Sequence, residues 1–183
     1  MHRLLTLGLL VAIAACTTVE GDTGAEKRAN INDMAKGTLA DLYERKPETK
    51  AELANAPGYA VFSNFGSKIL VISSGSGYGV VVPKSGKRTY MKMAEVGVGL
   101  GMGIKKFRGV FVFKTASVMN KFIDEGWEFA SDADASAKSG EKGGAATAAA
   151  AVGDVKIYEL TDTGVSLSAT VGGTKYWKYD ELN

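Results

Sequence analysis

Cysteine and histidine are nearly missing from this chain of 183 residues, which has one of each, Cys16 and His2. His2 lies in an N-terminal segment that reads as a removable leader, so the mature chain is expected to contain no histidine and no usable thiol. Zinc sites, Ser-His-Asp triads, Cys-His pairs and haem ligation all need one of these side chains. The sequence therefore predicts a protein that is not an enzyme, with no catalytic residues, no metal and no cofactor.

Long apolar runs are also scarce, because no run of 18 or more apolar residues follows the N-terminus and no spanning helix is expected. The leader has a short basic start (His2, Arg3) and an apolar run, Leu4–Ala15, that is too short for a permanent membrane span. The run ends in Ile13-Ala14-Ala15-Cys16, which is similar to a bacterial lipobox. We therefore expect a lipoprotein signal peptide over 1–15 and a lipidated tether over 16–24 that begins at Cys16.

Lipidation gives Cys16 a diacylglyceryl thioether and an N-acyl chain of the palmitate type, and two or more chains hold a protein stably on a membrane. Thr17 stands where an aspartate typically retains a lipoprotein in the inner membrane. The expected location is thus the outer membrane, on its periplasmic side or exposed at the surface. In the alternative, Ala12-Ile13-Ala14 is an ordinary cleavage site, and a soluble periplasmic protein with a free thiol results.

Excess charge of either sign is missing too: 22 Lys and Arg against 20 Asp and Glu give a net charge of +2. Bulk charge does not suggest nucleic acid as a partner. The remaining length suits one domain over 25–183.

The tripeptide Asp-Thr-Gly, which aspartic proteases use in pairs, occurs at 22–24 and 162–164. A helix start explains the first copy and a hairpin turn the second.

Helical spacing comes first along the chain. Thr23 and Glu26 have the spacing of a capping box, and an amphipathic helix is expected to end near Lys46-Pro47, with a short second helix through about Asn55. From Tyr59 the apolar period changes to two. Strands are predicted near 59–64, 68–73, 76–83, 87–95, 96–105, 108–114, 154–161, 164–171 and 174–180.

One further helix, with Ser117 as its cap and Gly126 at its end, is expected between the sixth and seventh of these strands. The predicted fold class is α+β, with N-terminal helices packed on a mostly antiparallel, curved or barrel-like β-sheet with one inserted helix.

In the segment 96–104 glycine takes every second position. Such a bare strand face indicates close packing against the backbone, by another layer or by a ligand such as an acyl chain.

Several segments, in order, carry a resemblance to a known family. They are Gly58-Tyr59-Ala60-Val61-Phe62, Gly75-Ser76-Gly77-Tyr78-Gly79-Val80, the glycine-alternating segment, Val110-Phe111-Val112-Phe113-Lys114-Thr115, Ala133-Asp134-Ala135-Ser136, and the ending Tyr158 to Gly164 to Val171. Together they resemble the SYLF domain of lipid-binding proteins. The resemblance implies binding of acidic phospholipids, with phosphoinositide-type headgroups foremost.

Basic residues offer a surface for such a ligand. One group, Lys105, Lys106 and Arg108, follows the glycine segment, and a second, Lys84, Lys87 and Arg88, surrounds a predicted hairpin turn. Each cation near an anionic membrane contributes on the order of 1 kcal/mol, screened by salt. The sequence predicts headgroup binding at these residues, although cations there also serve solubility. The alternative function is a structural or assembly lipoprotein that binds another envelope protein through a strand edge.

Overall fold

The computed structural model describes residues 19–69, 72–98, 103–128, 151–152, 154–161, 164–167 and 174–183. The helices are α1 (Gly24–Arg45), α2 (Thr49–Asn55) and α3 (Ala116–Glu125), and a 3-10 helix covers Asp180–Leu182. The strands are β1 (Gly58–Ile69), β2 (Ile72–Pro83), β3 (Thr89–Val98), β4 (Gly103–Phe113), β5 (Trp127–Glu128), β6 (Ala151–Val152), β7 (Val155–Thr161), β8 (Gly164–Leu167) and β9 (Thr174–Lys178).

A capping box starts helix α1, as the sequence predicts. The Thr23 hydroxyl accepts a hydrogen bond from the Glu26 N–H at 3.2 Å, and the Glu26 carboxylate accepts one from the Thr23 N–H at 3.1 Å. These bonds satisfy N–H groups that have no partner within the helix. The helix start at the first Asp-Thr-Gly copy is thereby confirmed. Helix α2 begins at Thr49 and ends at Asn55, the end that was expected.

The strands form one antiparallel sheet. Its order is β5-β9-β3-β2-β1-β4-β7-β6, and β8 pairs with β7. The sheet is curved. Over the described residues its strand path is open at both ends, so the sheet does not close on itself there. The predicted α+β class, with a mostly antiparallel sheet and one inserted helix, is confirmed. Of the two expected sheet shapes, the curved one is observed.

The first two strands are longer than predicted. Three strands were expected over 59–83, but β1 and β2 pair without interruption from Gly58 opposite Pro83 to Ile69 opposite Ile72. The predicted strand over 68–73 is therefore wrong. Turn-forming residues misled the prediction, because Asn64 and Gly66 lie inside β1, whereas positions 70 and 71 hold no glycine, proline, asparagine or aspartate.

The glycine-alternating segment is likewise not one strand. Strands were expected over 87–95, 96–105 and 108–114, but β3 continues through Val98, and β4 begins at Gly103 and runs without a break to Phe113. Residues 99–102 lie outside the described residues. Strands β3 and β4 are not neighbours, because β2 and β1 lie between them. The segment thus belongs to the ends of two separate strands.

The later strands match their predictions more closely. Strands β7 and β9 fall within the predicted ranges 154–161 and 174–180. Strand β8 starts at the predicted Gly164. The predicted strand residues 168–171 lie outside the described residues, as do residues 129–150 and Asp162-Thr163 of the second Asp-Thr-Gly copy. Thr115, and not Ser117, caps α3, because its extended backbone follows β4 directly and its hydroxyl accepts from the Val118 N–H at 3.2 Å.

The sheet buries a separate core on each face. On the α1 face, helices α1 and α2 contribute Ile31, Leu42 and Leu53, which cluster with sheet residues. Members from the sheet include Val61, Val80, Tyr90, Val110, Tyr158 and Leu160. On the α3 face, Met119 and Phe122 pack on an aromatic group formed by Phe62, Phe111, Phe113 and Tyr176. The Phe62 and Tyr176 rings meet edge to face, with centroids 4.8 Å apart.

Gly79 shows why glycine is needed inside this sheet. A Cβ atom at Gly79 would collide with the Val61 carbonyl oxygen and with the ring of Phe62. The Phe62 ring therefore fills the space that a side chain at this position would take. At this glycine, packing within the protein explains the bare position, as expected for close backbone approach.

The four long strands have two distinct ends. We call the end at Gly58, Pro83, Thr89 and Phe113 the proximal end. We call residues 64–69, 72–77, 94–98 and 103–107 the distal sheet. A strand of 12 residues spans about 40 Å.

Candidate functional site

The chain is folded from Val19 onward, close to the expected anchor at Cys16. The Val19 side chain is 4% exposed and belongs to the core on the α1 face. The Asn30 side-chain amide donates to the Glu20 carbonyl at 2.7 Å, which holds the segment against α1. Within the predicted tether over 16–24, Val19 is buried, residues 20–23 are exposed and Gly24 already lies in α1, whereas residues 16–18 lie outside the described residues.

Val19 of this N-terminal segment shares a core with strand β2, because Tyr78 of β2 packs against the core to which Val19 belongs. Burial, and then the nearby carboxylate of Glu20, raise the pKa of the Tyr78 phenol above its ordinary value. The described chain thus begins on the α1 face, near Tyr78 of β2, the residue next to the distal sheet on that strand.

The basic group Lys84, Lys87 and Arg88 lies at the proximal end, in the turn between β2 and β3. The Lys84 N–H donates to the Pro57 carbonyl at 2.8 Å, and Gly86 supplies a positive φ of 117°. The Arg88 guanidinium donates to the Asn32 side chain at 2.8 Å. The Lys84 and Lys87 side chains are exposed.

The second basic group begins far from the first. Lys105 pairs with Gly66 and Lys106 with Phe65, both in the distal sheet. Eight residues of β4 separate Lys105 from Phe113 at the proximal end, a distance of about 26 Å. Consecutive positions of a strand lie on opposite faces of a sheet. The sequence placed these cations around neighbouring strand ends, but the structure separates them into two groups and sets Lys105 and Lys106 on different faces.

Arg108, the third residue of the second group, is engaged in a contact within the fold. Its guanidinium Nη2 lies 2.7 Å from Oδ2 of Asp41, and about a third of each side chain is exposed. The pair links strand β4 to helix α1. The structure therefore gives Arg108 a contact within the fold, and its predicted binding of headgroups stays a prediction.

Two other cations of the sheet are also engaged in contacts within the fold. The Lys92 Nζ lies 3.5 Å from Oε2 of Glu181 and 3.9 Å from the centroid of the Tyr179 ring. The Lys178 Nζ lies 2.9 Å from Oδ1 of Asp124. Conversely, Lys68 was not among the predicted headgroup-binding residues, because it was read as the first residue of the predicted strand 68–73. Register places it opposite Gly103 and Ser73, in the distal sheet with Lys105.

A cluster of three ionisable groups ties α2 to β7. Glu52 accepts hydrogen bonds from the Tyr158 hydroxyl at 2.5 Å and from the Lys156 ammonium at 3.1 Å. Burial and then the bond to Glu52 raise the pKa of Tyr158. Burial lowers the pKa of Lys156, but its hydrogen bonds to Tyr158 and Glu52 outweigh burial and leave it raised. No local pattern reveals this cluster, because Glu52 lies 104 positions before Lys156 and 106 before Tyr158.

Neither a metal site nor a spanning helix is found in the described part of the chain. No three His, Cys, Asp or Glu side chains converge there as a metal ion requires. No helix in these ranges combines the length and apolarity needed to cross a membrane.

No family model matches the chain. The chain is similar to "Beta cell expansion factor A" of Aeromonas veronii, with 35% identity over 156 residues. The similar region covers 85% of this chain and 58% of that relative, so the chain spans under two thirds of the relative's length.

Proposed function

We propose that this protein is a lipid-anchored component of the bacterial cell envelope, at the outer membrane, whose folded body binds acidic phospholipids without catalysis. The observation that carries the proposal is the burial of Val19, three residues after the lipobox cysteine. Three residues of extended chain reach about 10 Å at most. An acyl chain on Cys16 therefore holds the folded body directly against the membrane surface.

Charge in the distal sheet supports the choice of an acidic lipid. Its positions include three lysines, Lys68, Lys105 and Lys106, and one carboxylate, Glu95. Anionic lipid attracts such cations with about 1 kcal/mol each near the surface. The resemblance to the SYLF family favours the same ligand class, with phosphoinositide-type headgroups as its finer form.

Vesicle flotation tests the lipid-binding part. Both cores are formed by residues 19–182, so residues 19–183 make up a folded body without the anchor. We expect this body to float with vesicles of phosphatidylethanolamine and phosphatidylglycerol, and to lose binding as salt rises. Equal binding to neutral vesicles, or none to either, contradicts the proposal. Capture of an envelope protein without any lipid binding would favour the structural or assembly alternative.

Replacement of Cys16 by serine tests the anchor. The C16S protein is expected to leave the membrane fraction of cells, and mass spectrometry of the mature wild-type N-terminus is expected to show acyl chains on Cys16. A mature chain that begins at Ala15 with a bare thiol contradicts the anchor.

A further inference from the structure

Trp177 of strand β9 is the one large apolar side chain that is exposed among the side chains that the structure describes, with 37% of it open to solvent. Its two strand neighbours are engaged on the α3 face. Tyr176 belongs to the aromatic core there, and Lys178 pairs with Asp124 of α3. Because successive residues of a strand point to opposite faces, Trp177 lies on the α1 face of the sheet.

Lysine flanks this indole on the same face. Lys175, two positions earlier in β9, is exposed. Lys92 of β3 lies opposite Trp177 in the pairing register, and its ammonium group is held by the Tyr179 ring and the Glu181 carboxylate. An indole has an apolar body and a polar N–H, and tryptophan is therefore enriched where a membrane meets water. A neighbouring exposed ammonium group suits the phosphates of the same layer.

The start of the described chain lies on the same side of the sheet. The 3-10 helix that follows β9 packs on the start of α1, since a Cβ atom on Gly24 would lie 3.6 Å from Cδ2 of Leu182. Val19 belongs to the same core as Leu182. Cys16 lies within about 10 Å of Val19 along the chain. The expected anchor is thus brought to the side of the sheet that carries Trp177.

We propose that Trp177 is a second membrane contact of this protein, with its indole in the headgroup layer of the bilayer that holds the anchor and Lys175 at the lipid phosphates. The inference rests on the proposed function and deepens it, because it names a side chain that touches the lipid. An anchor at Cys16 alone leaves the folded body free to rotate about its attachment. A second contact on the same side fixes which part of the body faces the membrane.

Tryptophan fluorescence of the anchored protein tests this contact. The chain has two tryptophans, so W127F leaves Trp177 as the single reporter, and W177F, its matched control, leaves Trp127. Each processed full chain is purified from membranes and reconstituted in vesicles of phosphatidylethanolamine and phosphatidylglycerol, with or without bromine on the acyl chains near the headgroup. With brominated lipid the W127F protein is expected to lose most of its emission, whereas W177F keeps its emission. If W127F does not fold, the wild type replaces it and shows a quenched fraction that W177F lacks.

The outcomes separate the inference from the proposed function. Quenching that depends on the presence of Trp177 supports the inference. Equal quenching with and without Trp177, or none while the lipidated protein floats with the vesicles, overturns it and leaves the proposed function standing. In that second case, an aqueous quencher that reaches Trp177 favours a surface for a protein partner, and shielding from it shows cover by another part of the chain. A purified chain without acyl groups that does not float contradicts the proposed function itself.

Discussion

The Arg108 guanidinium lies 2.7 Å from the Asp41 carboxylate, and this ion pair joins strand β4 to helix α1. It engages within the fold a cation that the sequence grouped with Lys105 and Lys106 as candidate headgroup ligands. The binding role of Arg108 therefore stays a prediction, and a substitution at this position tests it.

The first prediction concerns Arg108 itself. Arg108→Gln is expected to lower the free energy of unfolding by about 0.2–1 kcal/mol, the range for partly exposed ion pairs, and to leave vesicle binding unchanged. Urea denaturation and flotation measure the two effects. D41N is the matched partner, and the double variant should lose less than the sum of the singles. A large loss of vesicle binding in Arg108→Gln would return this residue to the binding surface.

The second prediction separates the two basic groups. Changing both Lys105 and Lys106 to glutamine is expected to weaken binding to anionic vesicles by about 1 kcal/mol for each charge, which is about fivefold for one charge and about 30-fold for the pair. Lys84 and Lys87 changed to glutamine remove the same charge at the proximal end and should bind as the wild type does. Titration with vesicles of graded phosphatidylglycerol content measures both. Equal losses in the two double variants would show that net charge matters and position does not.

The third prediction compares two glycines. Gly79→Ala forces a methyl group against Val61 and Phe62 and is expected to cost about 1–3 kcal/mol of stability. Gly37→Ala is the control: Gly37 lies within α1 with open space around it, and alanine there is expected to add about 1 kcal/mol. Thermal and urea unfolding measure both variants. A neutral Gly79→Ala would mean that β1 and β2 move apart easily.

Local patterns predicted the helices and the fold class, but not the strand boundaries. The bonds between Thr23 and Glu26 lie within four residues, so the sequence displays the whole motif. The reversal between Ile69 and Ile72 has no turn residue to mark it, and Asn64 and Gly66 suggest a turn where none exists. Strand length here is set by pairing with distant partners, which a local pattern does not contain.

The candidate site was predictable in residue type and not in arrangement. Lys84 and Lys105 look alike in the sequence, yet the pairing of β1 with β2 and β4 sets them at opposite ends of a long sheet. The partner of Arg108 is 67 positions earlier in the chain, and no spacing rule connects them.

The last prediction concerns the pH dependence of stability through Tyr158. Burial and the hydrogen bond to Glu52 raise the pKa of Tyr158 above its ordinary value of 10.0, and the pKa of Lys156 also lies above its ordinary 10.5. The folded state holds these protons more tightly than the unfolded chain does. Their contribution to stability is therefore complete below pH 10.0 and is lost as the pH rises through the folded-state pKa values.

Tyr158→Phe isolates the phenol's part of this dependence. At neutral pH the variant is expected to lose about 1 kcal/mol, because Glu52 loses one hydrogen-bond donor while it keeps Lys156. Above pH 10.0 its stability should fall less steeply than that of the wild type. A remaining slope is expected, because the pKa values of Tyr43 and Tyr78 are raised as well, mainly by burial. Urea unfolding on both sides of pH 10.0 measures the difference, and identical slopes would contradict the role of the Glu52–Tyr158 bond.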